Sequence, residues 1–270
     1  MLSEKTEKEK MWIRLQKCGG CYLLGGCFAI WLKYRYSHAG SEELLWLLQP
    51  VAWWAGHLGR MSFVYEKGIG YINHTVRFII APSCSGVQFF IIVMLMLLFA
   101  FVHRMGTQKK RWAWMLFGLF VAYGYTVFVN GIRIVLAVEL PLFLARVRFC
   151  VGWLSPERLH TLIGVAVYFT ALLFLYQAAD AAVCFRERGS GKDNPDIDTD
   201  MHGNPKGKHR YLIPAFWYFF IVLGVPFLNR AAADNRAGFI EYAFVTAGGC
   251  LGVLTVLKAG KKLLHGCRRA

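Results

Sequence analysis

Charged residues are scarce in this chain. They make up 17% of its 270 residues, whereas 56% of the residues are hydrophobic. A soluble domain usually carries about 25% charged residues, so this composition excludes an ordinary soluble fold. Long apolar segments separated by short basic stretches are instead typical of a polytopic membrane protein. The expected fold class is all-α, with about six transmembrane helices of roughly 20 residues each.

Acidic residues are the scarcer of the two charged classes. The chain has 16 Asp and Glu against 31 Lys and Arg, which gives a formal net charge of +15. A strongly basic chain can indicate nucleic-acid binding. Here the basic residues cluster between the apolar segments and do not follow one amphipathic face, as the positive-inside rule predicts for a membrane protein. We therefore expect contact with a lipid bilayer and no nucleic-acid partner.

A disulfide framework and a metal-binding pattern are also missing. The eight cysteines do not have the spacing of a disulfide-stabilised domain. Cys18-Gly-Gly-Cys21 is a lone C-x-x-C motif, without the second ligand pair of a zinc site or the βαβ context of a redox motif. The sequence therefore predicts no metal site and no cofactor.

The apolar segments predict where membrane helices lie. The segment at 87–102 follows a cysteine motif, and Pro141 is expected to end the segment at 112–140. Ser155-Pro156-Glu157 predicts the start of the next helix, because serine caps a helix and proline suits its first position. The six expected helices cover about residues 19–32, 87–102, 112–140, 156–179, 211–228 and 239–257.

The connection between the first two expected helices is long. Residues 43–58 are rich in Leu and Trp and are interrupted by Pro50, which predicts an interfacial or re-entrant segment. Residues 65–80 alternate loosely and contain two glycines, which favours a short hairpin.

The chain divides into three expected parts. Residues 1–185 form a membrane-embedded core, residues 186–209 form a polar and flexible cytoplasmic linker, and residues 210–270 add a transmembrane helix pair with a basic tail. Most of the 31 Lys and Arg fall in cytoplasmic pieces if both termini face the cytoplasm, so we expect this orientation.

Cys84 stands in a local setting that suits a nucleophile. It lies in Ala81-Pro82-Ser83-Cys84-Ser85-Gly86, directly before an apolar helix. The proline cannot continue a helix, and either serine can cap the one that follows. The helix dipole would there favour the thiolate, and Gly86 would leave room for another chain to approach the sulfur. A buried cysteine at a helix–helix contact is the alternative interpretation.

With both termini in the cytoplasm, Cys84 lies at the outer face of the membrane, and two further side chains fall at that same face. Arg133 lies near the outer end of the third expected helix, with Asn130 on the same face of that helix, and His160 lies at the outer start of the fourth. Cys84 would attack a peptide carbonyl, and His160 would transfer protons. Arg133 would stabilise the oxyanion, with help from the backbone N–H of Ser85 or Gly86.

Other interpretations of these residues stay open at this point. Arg133 could extend to lipid headgroups or pair with Glu139. His160 could be an interfacial histidine, and His74 is a second candidate base. The chain could also be a transporter or channel subunit in which Arg133 and His160 line a solute path, although the sequence shows no paired repeats. A non-catalytic membrane assembly factor is the other alternative.

Three stretches resemble the signature motifs of the exosortase/archaeosortase family. They are Ala81-Pro82-Ser83-Cys84-Ser85-Gly86, Asn130-Gly131-Ile132-Arg133-Ile134 and Leu159-His160-Thr161-Leu162-Ile163-Gly164. The surrounding sequence, over about residues 40–180, looks most like the exosortase K branch. The resemblance implies a multipass cysteine protease or transpeptidase whose catalytic set is Cys84, Arg133 and His160, with 1–185 as its catalytic core.

The resemblance also implies the partners and the location. Enzymes of this family act on exported proteins whose C-termini carry a short motif, a membrane helix and a basic tail. We therefore expect a multi-pass protein of a prokaryotic plasma membrane, with its active site on the extracytoplasmic face. The resemblance gives no role to residues 186–270.

Overall fold

A computed structural model describes residues 2–146, 155–189, 209–228 and 235–267. Within these ranges the chain is predominantly α-helical, with one small sheet. The helices are α1 (Leu2–His38), α2 (Leu45–Gly59), α3 (Val87–Phe101), α4 (Gln108–Arg146), α5 (Pro156–Gly189), α6 (His209–Phe219), α7 (Val225–Leu228) and α8 (Arg236–Cys267).

Five stretches of the described chain are long and apolar enough to cross a membrane, so this is a helical membrane protein. They are Pro82–Arg104, Gln108–Leu144, Glu157–Arg186, Tyr211–Leu228 and Arg236–Gly260. The expected helix at 19–32 lies within α1, which is not among the five. That segment is shorter than the roughly 20 residues that a span requires. The count of about six therefore stays a prediction.

Helix α3 forms the centre of the bundle. In its most apolar 18-residue stretch 83% of the residues are buried, whereas the share is 39% or less in the other four spans. Helices α1, α4, α5 and α6 all pack against it. A helix that is apolar on every side is stable only when it is surrounded, so α3 gives a fixed base for the motif at its N-terminus.

Helices α4 and α5 differ in length from the expected segments. Helix α4 continues through Pro141 to Arg146, so the prediction that this proline ends the helix is wrong. Proline removes one backbone donor, and a helix of 39 residues retains the rest of its hydrogen-bond ladder. Helix α5 begins as predicted, since the Arg158 N–H donates to Ser155 Oγ at 3.3 Å, but it continues past 179 to Gly189.

The expected linker at 186–209 overlaps the ends of two helices and otherwise stays a prediction. Residues 186–189 belong to α5 and His209 already belongs to α6. Residues 190–208 lie outside the described residues. The next apolar segment, expected at 211–228, comprises α6, a π-helical turn at Phe220–Gly224, and α7.

The long connection before α3 contains α2 and a three-stranded antiparallel sheet. Helix α2 includes Pro50 and buries one face, which packs on α4, while Trp53 is 69% exposed. The strands are β1 (Val64–Glu66), β2 (Gly70–Asn73) and β3 (Phe78–Ile80), in the order β1-β2-β3. The predicted hairpin is confirmed, and β3 extends it. Because β3 ends beside Ala81, the sheet leads directly into the cysteine motif.

The opposite end of α3 carries the basic loop. Arg104 Nη1 lies 2.7 Å from Asp180 Oδ1 of α5, in an ion pair that is largely buried. Arg111 donates to the backbone carbonyls of Lys17 and Met105 at 2.9 and 3.1 Å. These contacts join the middle of α1, the loop after α3, and α5 on the face away from Cys84.

Candidate active site

The Cys84 motif forms a tight turn between the sheet and α3. Ala81 is extended, and Pro82–Cys84 forms a 3₁₀ turn in which the Cys84 N–H donates to Ala81 O at 2.8 Å. Gly86 then takes the N-cap position of α3 with φ +86°. The prediction that Ser83 or Ser85 caps α3 is wrong, because the N-cap is the residue directly before the helix and here that residue is the glycine.

Gly86 allows α4 to approach the motif closely. A Cβ atom at this position would lie 3.0 Å from Asn130 Nδ2 and 3.1 Å from Thr126 Cγ2. The close neighbour that the glycine admits is therefore α4. At this contact Asn130 Nδ2 donates to the backbone carbonyl of Cys84 at 2.7 Å.

The two backbone donors considered for an oxyanion differ in their hydrogen bonding. The Ser85 N–H donates to Pro82 O at 3.1 Å within the turn. The Gly86 N–H stands at the helix N-terminus, where the first N–H groups have no acceptor within the helix. Of the two, Gly86 is therefore the better placed to donate to a developing negative charge.

Arg133 is a buried cation held by neutral groups. Its side chain comes from α4, and the residue is 9% exposed. Nη1 lies 3.4 Å from Asn130 Oδ1 and 3.3 Å from the Tyr168 hydroxyl, and Nη2 lies 2.8 Å from His160 Nε2. Among the contacts of the described residues, Arg133 bonds to these three groups and not to Glu139, which was the alternative partner. An arginine at membrane depth is costly unless it is well hydrogen-bonded.

His160 joins the cation to the thiol. Its Nε2 lies 2.8 Å from Arg133 Nη2 and 4.0 Å from Cys84 Sγ. A guanidinium only donates hydrogen bonds, so Nε2 must be an acceptor, and His160 is neutral with its proton on Nδ1. The structure thus brings Cys84, Arg133 and His160 together from three spans, and it places Ser85, Gly86 and Asn130 beside them.

A cavity of about 190 Å³ is lined by Arg133, His160 and Gly86 from this group. Arg133 carries the only formal charge among the side chains that line the cavity within the described part of the chain. The remaining lining is largely aromatic and aliphatic, and Tyr36, Tyr168, Tyr218 and Tyr242 belong to four different helices. The cavity therefore combines an imidazole and an unbalanced positive charge, and the Cys84 thiol lies behind this lining, 4.0 Å from His160 Nε2.

The site includes residues that the motifs did not indicate. Tyr168 hydrogen-bonds to both Arg133 and Asn130, while Tyr218 and Tyr242 come from the C-terminal helices. One signal could have found Tyr168, because it follows His160 by eight residues and so lies on the same face of α5. No spacing connects Tyr218 or Tyr242 to the motifs.

His74, the second candidate base, lies elsewhere. Its Nε2 is 3.2 Å from Glu66 Oε1, and its side chain is 68% exposed. This pair belongs to the small sheet, and His74 does not line the cavity that Arg133 and His160 share.

Comparisons with protein-family models, with curated proteins and with solved structures found no match to this chain. The likeness to the exosortase/archaeosortase family thus rests on the three motifs and the sequence around them, and it stays a prediction.

Proposed function

We propose that this chain is a membrane-embedded cysteine peptidase or transpeptidase that cleaves the C-terminal sorting signals of exported proteins. The observation that carries the proposal is the close approach of Cys84, His160 and Arg133, at the distances given above, beside a cavity that His160 and Arg133 line. A nucleophile, a proton-transfer group and a cation around one space are the parts that acyl transfer requires.

The proposed reaction has two acyl-transfer steps. The Cys84 thiol gives its proton to His160 Nε2, and the thiolate attacks the scissile carbonyl carbon. Arg133 and the Gly86 N–H stabilise the oxyanion. The imidazolium then protonates the leaving amine as the C–N bond breaks, which leaves a thioester on Cys84. Water or an acceptor amine attacks the thioester, gives up its proton to His160, and the thiol is restored.

The resting contact between Arg133 and His160 must open during this sequence. Nε2 cannot take the thiol proton while its lone pair accepts the bond from Arg133 Nη2. Release of that bond frees Nε2 for the proton and frees Nη2 for the oxyanion. In this proposal the substrate carbonyl replaces His160 as the partner of Arg133 during attack.

The same proposal includes orientation and partners. The basic residues Arg104, Lys109, Lys110 and Arg111 lie at the end of α3 away from Cys84. The positive-inside rule favours the cytoplasm for that end, so the catalytic cavity would face the outside of a prokaryotic plasma membrane. Its substrates would be exported proteins with a short C-terminal motif, a membrane helix and a basic tail.

Co-expression tests this function. The full chain is expressed with a tagged exported protein from the same genome whose C-terminus has a short motif, a membrane helix and a basic tail. We expect loss of the C-terminal helix from the tagged protein only when the full chain is present. If the wild-type chain shortens no such protein, the peptidase proposal is wrong. A transporter or an assembly factor is then the better explanation.

Gly164→Ala should lower processing without destabilising the protein. A Cβ at Gly164 would lie 3.3 Å from Arg133 Nε, an atom that is buried and has no hydrogen-bond partner. The new methyl group would push the guanidinium aside by a few tenths of an ångström, so we expect a loss well below the roughly 100-fold that a 1 Å misplacement can cost. Alanine meanwhile favours a helix over glycine by about 0.5–1 kcal/mol. The assay is substrate shortening together with the thermal-unfolding midpoint in detergent.

Gly124→Ala is the matched control for this change. Gly124 is also helical, and a Cβ there would have nothing within 4 Å. Processing by this variant should equal that of the wild type. Equal processing by the Gly164 and Gly124 variants would show that the fit of Arg133 against α5 has no catalytic importance.

A further inference from the structure

Tyr168 is held in a fixed position at the edge of the cavity. Its ring stacks on Phe89 of α3 with a centroid distance of 4.5 Å and an interplanar angle of 10°. The guanidinium carbon of Arg133 lies 5.3 Å from the centre of the same ring. The ring contacts orient the hydroxyl toward α4, where it meets Asn130 and Arg133.

The hydrogen bonds around Tyr168 have one consistent direction. Arg133 Nη1 donates to the Tyr168 hydroxyl at 3.3 Å, and the hydroxyl donates to Asn130 Oδ1 at 2.7 Å. Asn130 Nδ2 in turn donates to the Cys84 carbonyl at 2.7 Å. If the Asn130 amide turned over, its NH₂ would face the Arg133 guanidinium, which only donates, and its oxygen would face the Cys84 carbonyl, so only one orientation is satisfied.

The hydrogen bond from the Tyr168 hydroxyl is the shorter of the two that Asn130 Oδ1 accepts, at 2.7 Å against 3.4 Å. Without it, Asn130 Oδ1 keeps only the 3.4 Å contact to Arg133 Nη1, which is longer than an ordinary N–H···O hydrogen bond of about 2.7–3.2 Å. The Asn130 amide would then be held mainly by its own 2.7 Å bond to the Cys84 carbonyl, so the position of that carbonyl would be less fixed. Arg133 would lose one of the groups that hold its Nη1.

We propose that Tyr168 is a positioning residue that acts through Asn130 and Arg133 to hold Cys84 beside the buried cation. The inference rests on the proposed function in that Cys84 is taken as the nucleophile. Tyr168 itself does not touch the reacting atoms. Its effect should appear in the reactivity of the Cys84 thiol, which can be measured without any substrate.

The primary test is the rate at which iodoacetamide alkylates Cys84 in the purified full chain, followed by mass spectrometry as a function of pH. Tyr168→Phe keeps the ring stacking and removes only the hydroxyl. We expect its rate near neutral pH to fall several-fold, because Asn130 and Arg133 no longer hold Cys84 in place. An unchanged profile would overturn the proposal.

Tyr125→Phe is the matched control. Tyr125 lies on α4, and its hydroxyl donates to Ala171 O of α5 at 2.8 Å, with no bond to the catalytic residues. Both variants remove one tyrosine hydroxyl that bonds across the α4–α5 contact, so their thermal-unfolding midpoints should be similar. The control should keep the wild-type alkylation profile. An equal loss of Cys84 reactivity in both variants would show a general packing effect and contradict a positioning role.

A double-mutant cycle tests the route through Asn130. If Tyr168 acts through Asn130, the loss of Cys84 reactivity from Tyr168→Phe should be much smaller in an Asn130→Ala background. Fully additive losses would overturn this route. Failure of the wild-type chain to process any substrate would reject the proposed function while leaving the alkylation results interpretable, so the two claims can fail separately.

Discussion

We expect replacement of Cys84 with serine to abolish processing of the tagged substrate while the protein stays folded in the membrane. A hydroxyl is close to a thiol in size, so the tight turn before α3 should persist. The hydroxyl is far less acidic, and the nearest base, His160 Nε2, is 4.0 Å from Sγ and already bonded to Arg133. We expect a loss of at least about 1,000-fold, as for other residues that act in one catalytic unit.

The control for this change is Cys27→Ser. Cys27 is an exposed free cysteine on α1, and its replacement should leave processing unchanged. Enzyme abundance in the membrane fraction is measured in parallel by immunoblotting. Full processing by a Cys84→Ala protein would show that Cys84 is not the nucleophile. The transporter and assembly-factor alternatives would then remain.

Replacing Arg133 with lysine has the second-largest expected effect. Lysine keeps the positive charge but loses the planar set of donors. In the structure the two terminal nitrogens of Arg133 point to three different acceptors on Asn130, Tyr168 and His160. A single ammonium cannot reproduce this geometry, so we expect Arg133→Lys to lose nearly as much processing as Arg133→Ala, on the order of 100-fold or more.

The comparison between the two Arg133 variants distinguishes directed hydrogen bonding from charge alone. Substrate shortening is followed over time at matched enzyme abundance. If Arg133→Lys keeps much of the wild-type rate while Arg133→Ala does not, the charge is sufficient, and the assigned hydrogen-bond geometry is wrong.

The sequence allowed the candidate catalytic residues to be predicted because Cys84 and His160 lie at the starts of apolar segments and Arg133 is a charge within the later part of one. Alternation of the spans places the start of α3, the later part of α4 and the start of α5 at one face. The structure brings Cys84, Arg133 and His160 to that place, and it supports five of the expected spans. The positions of helix ends were less predictable, because the loss of one hydrogen bond at Pro141 does not stop α4.

The rest of the cavity could not be predicted, because aromatic residues in membrane segments usually only pack. Tyr168, Tyr218 and Tyr242 look like ordinary apolar helix residues until the helices are assembled. The C-terminal helices had no expected role, yet α6 and α8 pack on α5 and supply Tyr218 and Tyr242 to the lining. An ion pair of 2.7 Å between Arg158 and Glu241 also joins α5 to α8. Such long-range contacts leave no periodic signal in the sequence.

The most direct test of the account is detection of the thioester that Cys84 should form. The full chain is mixed with a substrate in detergent, quenched in acid and digested, and the peptide containing Cys84 is analysed by mass spectrometry. The account predicts a substrate fragment attached to Cys84 that hydroxylamine releases, and no such adduct in the Cys84→Ser protein. Substrate cleavage without any adduct on Cys84, or with an adduct on another residue, would contradict it.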